Sequence, residues 1–168
     1  NGRIDSALMV AEDVTDKREA QQKIENSQAQ LSAIINNTDD MILSIDREYN
    51  LVQFNEALKQ IVKRGFDIDL EPGMSVFVTM VPEARPIMTQ VYDSVFEGKS
   101  LTEVQPFNTP SGRIVHFETS YNPIYSDGVI TGIAIFSRNI TGRIENQERL
   151  TRAVKEKELL LDEIHHRL

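Results

Sequence analysis

The sequence predicts an α+β fold with an antiparallel sheet. β-type runs come as a pair and then a triple, and the longer helical stretches are segregated from them. In one of the later runs, Val115, Phe117, Thr119 and Tyr121 alternate with His116, Glu118 and Ser120. That is the pattern of a strand with one apolar face. A chain of 168 residues holds one core of ordinary size and not comfortably two.

The elements follow in order. Residues 1–15 read as an apolar strand, Ala7 to Ala11, running into a polar stop. A helix is predicted from Asp16, which with Glu19 has capping-box spacing. Ala20, Ile24, Ser27, Leu31 and Ile34 give it a narrow stripe of coiled-coil type. "DMILSID" and "NLVQF" make a hairpin around "REY", and "NEALKQIVKRG" is a short helix with Gly65 as its C-cap. "DIDLEPGMSVF" is a loop. "PEARPIMTQVYDSVFEGK" is a helix opened by Pro82 and closed by Gly98, its first turn weakened by Pro86. Three strands follow, "LTEVQPFNT", "RIVHFETSYNPIY" and "VITGIAIFS", separated by the turn sequences "PSG" and "SDG". From Arg143 the pattern is helical to the end.

Composition narrows the function classes. A net charge of −8 argues against nucleic-acid binding and against docking on an anionic membrane. With no cysteine, disulfides, thiolate nucleophiles and Cys-ligated zinc are excluded. No apolar run is long enough to cross a bilayer, which fits a cytoplasmic location. The start without an initiator methionine or signal peptide reads as an internal stretch of a longer protein.

The chain also repeats itself. Residues 2–24 align without a gap on residues 128–150, matching Gly2 with Gly128, Ile4 with Ile130, Thr15 with Thr141 and Glu19 with Glu145. A strand, a turn and a helix entry therefore occur twice.

The order of "NEALK", "LEPGMSVF", "VHFETSYNPI" and "DGVITGIAIFSRNIT" resembles the PAS family over about residues 37–141. "DVT" (13–15) and "NIT" (139–141) resemble the family's terminal motif, which joins the last strand to the output helix. Asn139 stands where that motif has an acid, so an ion pair there is forgone while hydrogen bonding is kept. The resemblance implies a five-stranded antiparallel sheet with short flanking helices, bracketed by coiled-coil type helices. It implies residues 1–15 as the last strand of a preceding PAS domain, 16–36 as a helical linker, 37–141 as a complete PAS domain and 142–168 as a signalling helix. It assigns signal relay to Asn139 and Thr141.

Cofactor signals are sparse. His116 is the module's only histidine and lies on the polar side of its strand, which disfavours an axial haem ligand. A small ligand in the core and a filled core both stay open.

The ending "EIHHRL" resembles the entry to the phosphoacceptor helix of sensor histidine kinases, where the phosphorylated histidine precedes Arg. Carried over, that residue is His166, with His165 the alternative. Leu150, Val154, Leu161, Ile164 and Leu168 fit one a/d heptad frame, with Lys157 the misfit. In that frame His165 falls at e and His166 at f, and an f position faces away from a two-helix seam. Glu163 is close enough in sequence to orient an imidazole. The expected assembly is a parallel homodimer through both flanking helices. By resemblance the full-length protein uses ATP and passes phosphate to a response regulator, while this stretch alone has no Gly-rich nucleotide loop. The rival reading is a non-catalytic PAS interaction module, or a PAS sensor for another output.

Overall fold

The computed structural model describes residues 2–109 and 111–168. Asn1 of the predicted N-terminal strand and Pro110 of the predicted "PSG" turn lie outside the described residues. The chain divides into two units, Asn1–Asp39 and Asp40–Leu168.

In the first unit the predicted strand is not formed. Gly2–Asn36 is one helix, α1. An isolated extended segment would leave its backbone donors and acceptors without a ladder, whereas a helix pairs them internally. Ala7, Leu8, Met9, Ala11 and Glu12 are strong helix formers, so local preference points the same way. Along α1, Ile24, Leu31 and Ile34 are exposed.

The second unit is an α+β sandwich of sheet and helices. Its strands are β1 (Met41–Asp46), β2 (Leu51–Phe54), β3 (Leu101–Asn108), β4 (Ile114–Ser126) and β5 (Val129–Asn139). They form one antiparallel sheet in the order β2-β1-β5-β4-β3. The last strand is thus central, paired with β1 on one side and β4 on the other. Gly132 permits that approach, because a Cβ there would sit 2.5 Å from the Ile45 carbonyl oxygen. The "SDG" turn has Asp127 at φ 50 and Gly128 at φ 77. Two positive φ values are the geometry that joins twisted strands in a two-residue hairpin.

The helices α2 (Glu56–Phe66) and α3 (Arg85–Phe96) pack on one face of the sheet, and α4 (Thr141–Arg167) leaves its centre. α2 runs through Gly65 and ends at Asp67, which is left-handed at φ 55. Asp tolerates that conformation, and its carboxylate pairs with Lys63 at 2.8 Å. Pro82–Ala84 form a 3-10 turn, and Pro86 falls in the first turn of α3, where its missing N–H costs nothing.

The core is Ile45, Leu51, Val62, Leu70, Val76, Met88, Tyr92, Val95, Tyr121, Ile133 and Ile135. Each large side chain so buried contributes at most about 1.5–3 kcal/mol of transfer energy. Asn55 is the fully buried polar member. Its Oδ1 accepts from Ile42 N (3.0 Å) and Leu58 N (3.2 Å), and its Nδ2 donates to the Asp40 carbonyl (2.8 Å). It caps α2 and ties that helix to β1. Among the described residues no helix is long and apolar enough to cross a membrane.

Candidate functional site

Between the sheet and α2 lies a cavity of about 570 Å³. The alternation of β4 builds one wall, with Val115, Phe117, Thr119 and Tyr121 facing in and joined by Ile135 and Ser137 of β5. Leu58, Ile61, Val62, Met88 and Tyr92 close it from the helices. Tyr92 and Tyr121 meet edge to face at 6.0 Å. Burial pushes the Tyr121 phenol up to about 12 and raises Tyr92 as well, so both stay neutral donors. The Thr119 and Ser137 hydroxyls bond each other at 2.8 Å. No carboxylate lines the cavity. Its mouth lies where lining residues are exposed, at Arg64, Gly65 and Phe66 on α2 and at Gln105 and Phe107 on β3.

The cavity touches the exit helix at one point. Asn139 lines the mouth and also stands one residue before the N-cap of α4. Its Oδ1 accepts from the Thr141 backbone N–H (3.0 Å) and from the Thr141 hydroxyl (2.6 Å). Thr141 Oγ1 in turn accepts from the His116 backbone N–H at 2.8 Å, and Ile140 N–H donates to the His116 carbonyl at 2.9 Å. Two ion pairs reach the first turns of α4, Glu118 of β4 with Arg143 at 3.0 Å and Arg113, just before β4, with Glu145 at 3.4 Å. Beyond Ile144 every residue of α4 is exposed. The two residues that sequence reasoning assigned to relay, Asn139 and Thr141, are thus bonded to each other at the helix root.

His116 is not a lining residue of the cavity. Its side chain is half-buried, and its Nδ1 is buried with no hydrogen-bond partner among the described residues. No cluster of three His, Cys, Asp or Glu side chains suited to a metal occurs among those residues.

His165 and His166 sit at the far end of α4, both exposed. Each Nδ1 contacts the carbonyl one turn back, Leu161 O for His165 and Asp162 O for His166, both at 2.9 Å. A carbonyl only accepts, so Nδ1 is the donor in each contact, and neither contact engages Nε2. Glu163 does not orient either imidazole: it pairs with Arg167 at 2.7 Å. Leu150, Val154, Leu161 and Ile164 are 46–62% exposed, an apolar stripe uncovered by the described residues of its own unit.

Sequence reasoning missed the helix-side residues of the cavity. The strand wall was legible as alternation. Arg64 and Tyr92 carried no signal, because their role depends on how α2 and α3 lie over the sheet.

The family described as PAS fold matches residues 35–145. No curated protein sequence matches the chain. Among solved structures, the chain is similar to the PAS domain of a protein from Colwellia psychrerythraea, at TM-score 0.54 and 20% identity, covering 68% of this chain and 98% of that one. It is similar to a sensory box histidine kinase/response regulator from Burkholderia thailandensis, at TM-score 0.50 and 13% identity, covering 78% and 98%. A phage VqmA–DPO complex matches at TM-score 0.55 and 16% identity, covering 82% of this chain and 62% of that one. At these identities the likeness is one of fold.

Proposed function

We propose that this chain, which belongs to the PAS family, is the sensory and relay region of a two-component sensor histidine kinase. The cavity is the input site for a small core ligand, Asn139 and Thr141 relay its state, and His166 is the phosphoacceptor, with His165 the alternative. The observation that carries the kinase reading is the exposed Nε2 of His166, whose neighbouring Nδ1 is held by Asp162 O. An imidazole so held leaves Nε2 as the ring nitrogen free to act as a nucleophile. In the full-length protein its Nε2 lone pair attacks the γ-phosphorus of ATP and the bond to the ADP oxygen breaks. The phosphoryl group then passes to an aspartate of a response regulator.

The rest of the reading follows the same frame. Residues 1–15 serve as the last strand of a preceding PAS domain when that domain is present, 16–36 as a linker, 37–141 as the complete domain and 142–168 as the signalling helix. The exposed stripes of α1 and α4 are the seams of a parallel homodimer. Residues 143–168 carry six basic and six acidic residues, a balance that suits the outer faces of a coiled coil. The placement is cytoplasmic, with no nucleic-acid partner and no direct membrane contact. The alternative is a non-catalytic interaction module, or a sensor for another output. The similarity of fold to a phage VqmA keeps that alternative in view, since one fold serves many outputs.

The test uses the protein extended past Leu168, incubated with labelled ATP and assayed for acid-labile, base-stable phosphate. Label is expected in wild type and His165→Ala and lost in His166→Ala. Loss only in His165→Ala moves the site by one residue. A folded, ATP-binding wild type that takes no label means the interaction-module reading is right.

A further inference from the structure

We infer that the cavity takes a monocarboxylic acid with an apolar tail, the tail inside and the carboxylate at Arg64. The inference rests on reading the cavity as the input site and names the chemistry of what enters it. The interior selects the tail. Its walls are apolar, it holds no charged side chain, and its hydroxyl pair Thr119–Ser137 is already mutually bonded at 2.8 Å. A charge taken inside would find no counterion. The volume of about 570 Å³ is within the range of sites that enclose small ligands.

The mouth selects the head. Arg64 is exposed and lines both the cavity and a shallow hollow on the outer side of α2 shared with Gln60, Glu56 and Asp69; its Nε donates to the Gln60 carbonyl at 3.3 Å. No carboxylate among the described residues pairs with it. The adjacent Lys63 is different, because Asp67 at 2.8 Å and Asp69 at 2.9 Å already hold it. Arg113, Arg138 and Arg143 each have an acid of their own, and Arg47 donates to the Ile130 carbonyl and lies over the Phe96 ring. In a chain of net charge −8, an uncommitted guanidinium at a cavity mouth is a local attractor for an anion. Its planar fork matches a carboxylate, and at the mouth the head keeps part of its water. Glu103, an acid on the neighbouring strand, is held by Gln105 at 2.8 Å and does not line the cavity.

The same end of the cavity reaches the relay. Gln105, Phe117 and Asn139 lie in one cross-strand row. Asn139 spends its Oδ1 on Thr141, and its Nδ2 has no partner among the described residues. A carboxylate at the mouth therefore shares that mouth with the residue whose side chain holds Thr141, the first residue of α4.

The experiment measures binding of decanoate and 1-decanol to the whole chain by calorimetry, below their aggregation limits. Wild type should bind decanoate about tenfold more tightly than decanol. Arg64→Gln should remove that preference, and Lys63→Gln, the same charge change one residue away, should keep it. Ile61→Trp, which fills the cavity from the helix side, should abolish binding of both, with folding checked by circular dichroism. Equal binding of the two ligands by wild type, or an unchanged preference in Arg64→Gln, overturns the head-group assignment and leaves the cavity reading standing. Binding that survives Ile61→Trp places the ligand elsewhere and overturns the inference. No binding of either ligand to the folded wild type overturns both the inference and the cavity as an apolar input site.

Discussion

Residues 2–24 and 128–150 share one sequence pattern and take two structures. The second copy is a strand, a one-residue junction at Ile140 and a helix; the first is helix throughout. Thr141 bridges Asn139 and His116 across that junction, whereas its counterpart Thr15 only returns its hydroxyl to Ala11 O at 2.8 Å, one turn back. The difference has two physical sources. β5 has β1 and β4 to pair with, so its backbone is satisfied on both edges. The side chains differ too: Ile130, Thr131, Ile133, Ile135 and Phe136 favour a pleated surface, and Ala7, Leu8 and Met9 favour a helix. A strand is granted by its neighbours as much as by its own residues.

Paired substitutions turn this comparison into measurements. The largest contrast is expected between Ile135→Ala and Met9→Ala. Ile135 is 4% exposed and Met9 75%. The first should cost about 3 kcal/mol by urea unfolding, and the second should stay within about 0.5 kcal/mol. Comparable losses would mean that residues 2–13 are packed as a strand in solution. The next contrast is Gly132→Ala against Ser6→Ala. In the first an added methyl meets the Ile45 carbonyl oxygen, and in the second only a hydroxyl is removed from an exposed helical position. Gly132→Ala should cost about 2 kcal/mol, and a neutral result would show that β1 and β5 can part at that point. The smallest contrast is Asn139→Ala against Asp13→Ala. Losing the cap should cost about 1 kcal/mol and speed hydrogen exchange at the Thr141 amide. Asp13→Ala should leave exchange at Thr15 unchanged, since that amide is bonded within α1 whichever residue stands there.

The sheet was legible because its strands carry alternation and turn chemistry. Val115 to Tyr121 and the Asp127–Gly128 turn are cases where local pattern and final structure coincide. The first copy of the repeat was misread because its likeness to a strand-to-helix junction says nothing about whether partner strands are present. Gly65 was misread as a cap because Asp67 supplies the left-handed turn and the Lys63 carbonyl its partner, at 3.0 Å. At the root of α4, the pairing of Asn139 with Thr141 was readable from adjacency, while the His116 bond that completes it comes from a residue 25 positions away. Arg64 lay beyond sequence reasoning for the same reason, since what distinguishes it from Lys63 is the position of Asp67 and Asp69.

The exposed run of α4 beyond Ile144 has a mechanical consequence. The helix is anchored only at its root, by Thr141 and the pairs to Arg143 and Glu145. From Thr141 to His166 it spans roughly 38 Å at the standard rise, so a tilt of about 5° at the root sweeps the histidine through about 3 Å. The arm thus works as a lever: a displacement at the sheet no larger than a hydrogen bond's slack becomes several ångströms of travel at its tip.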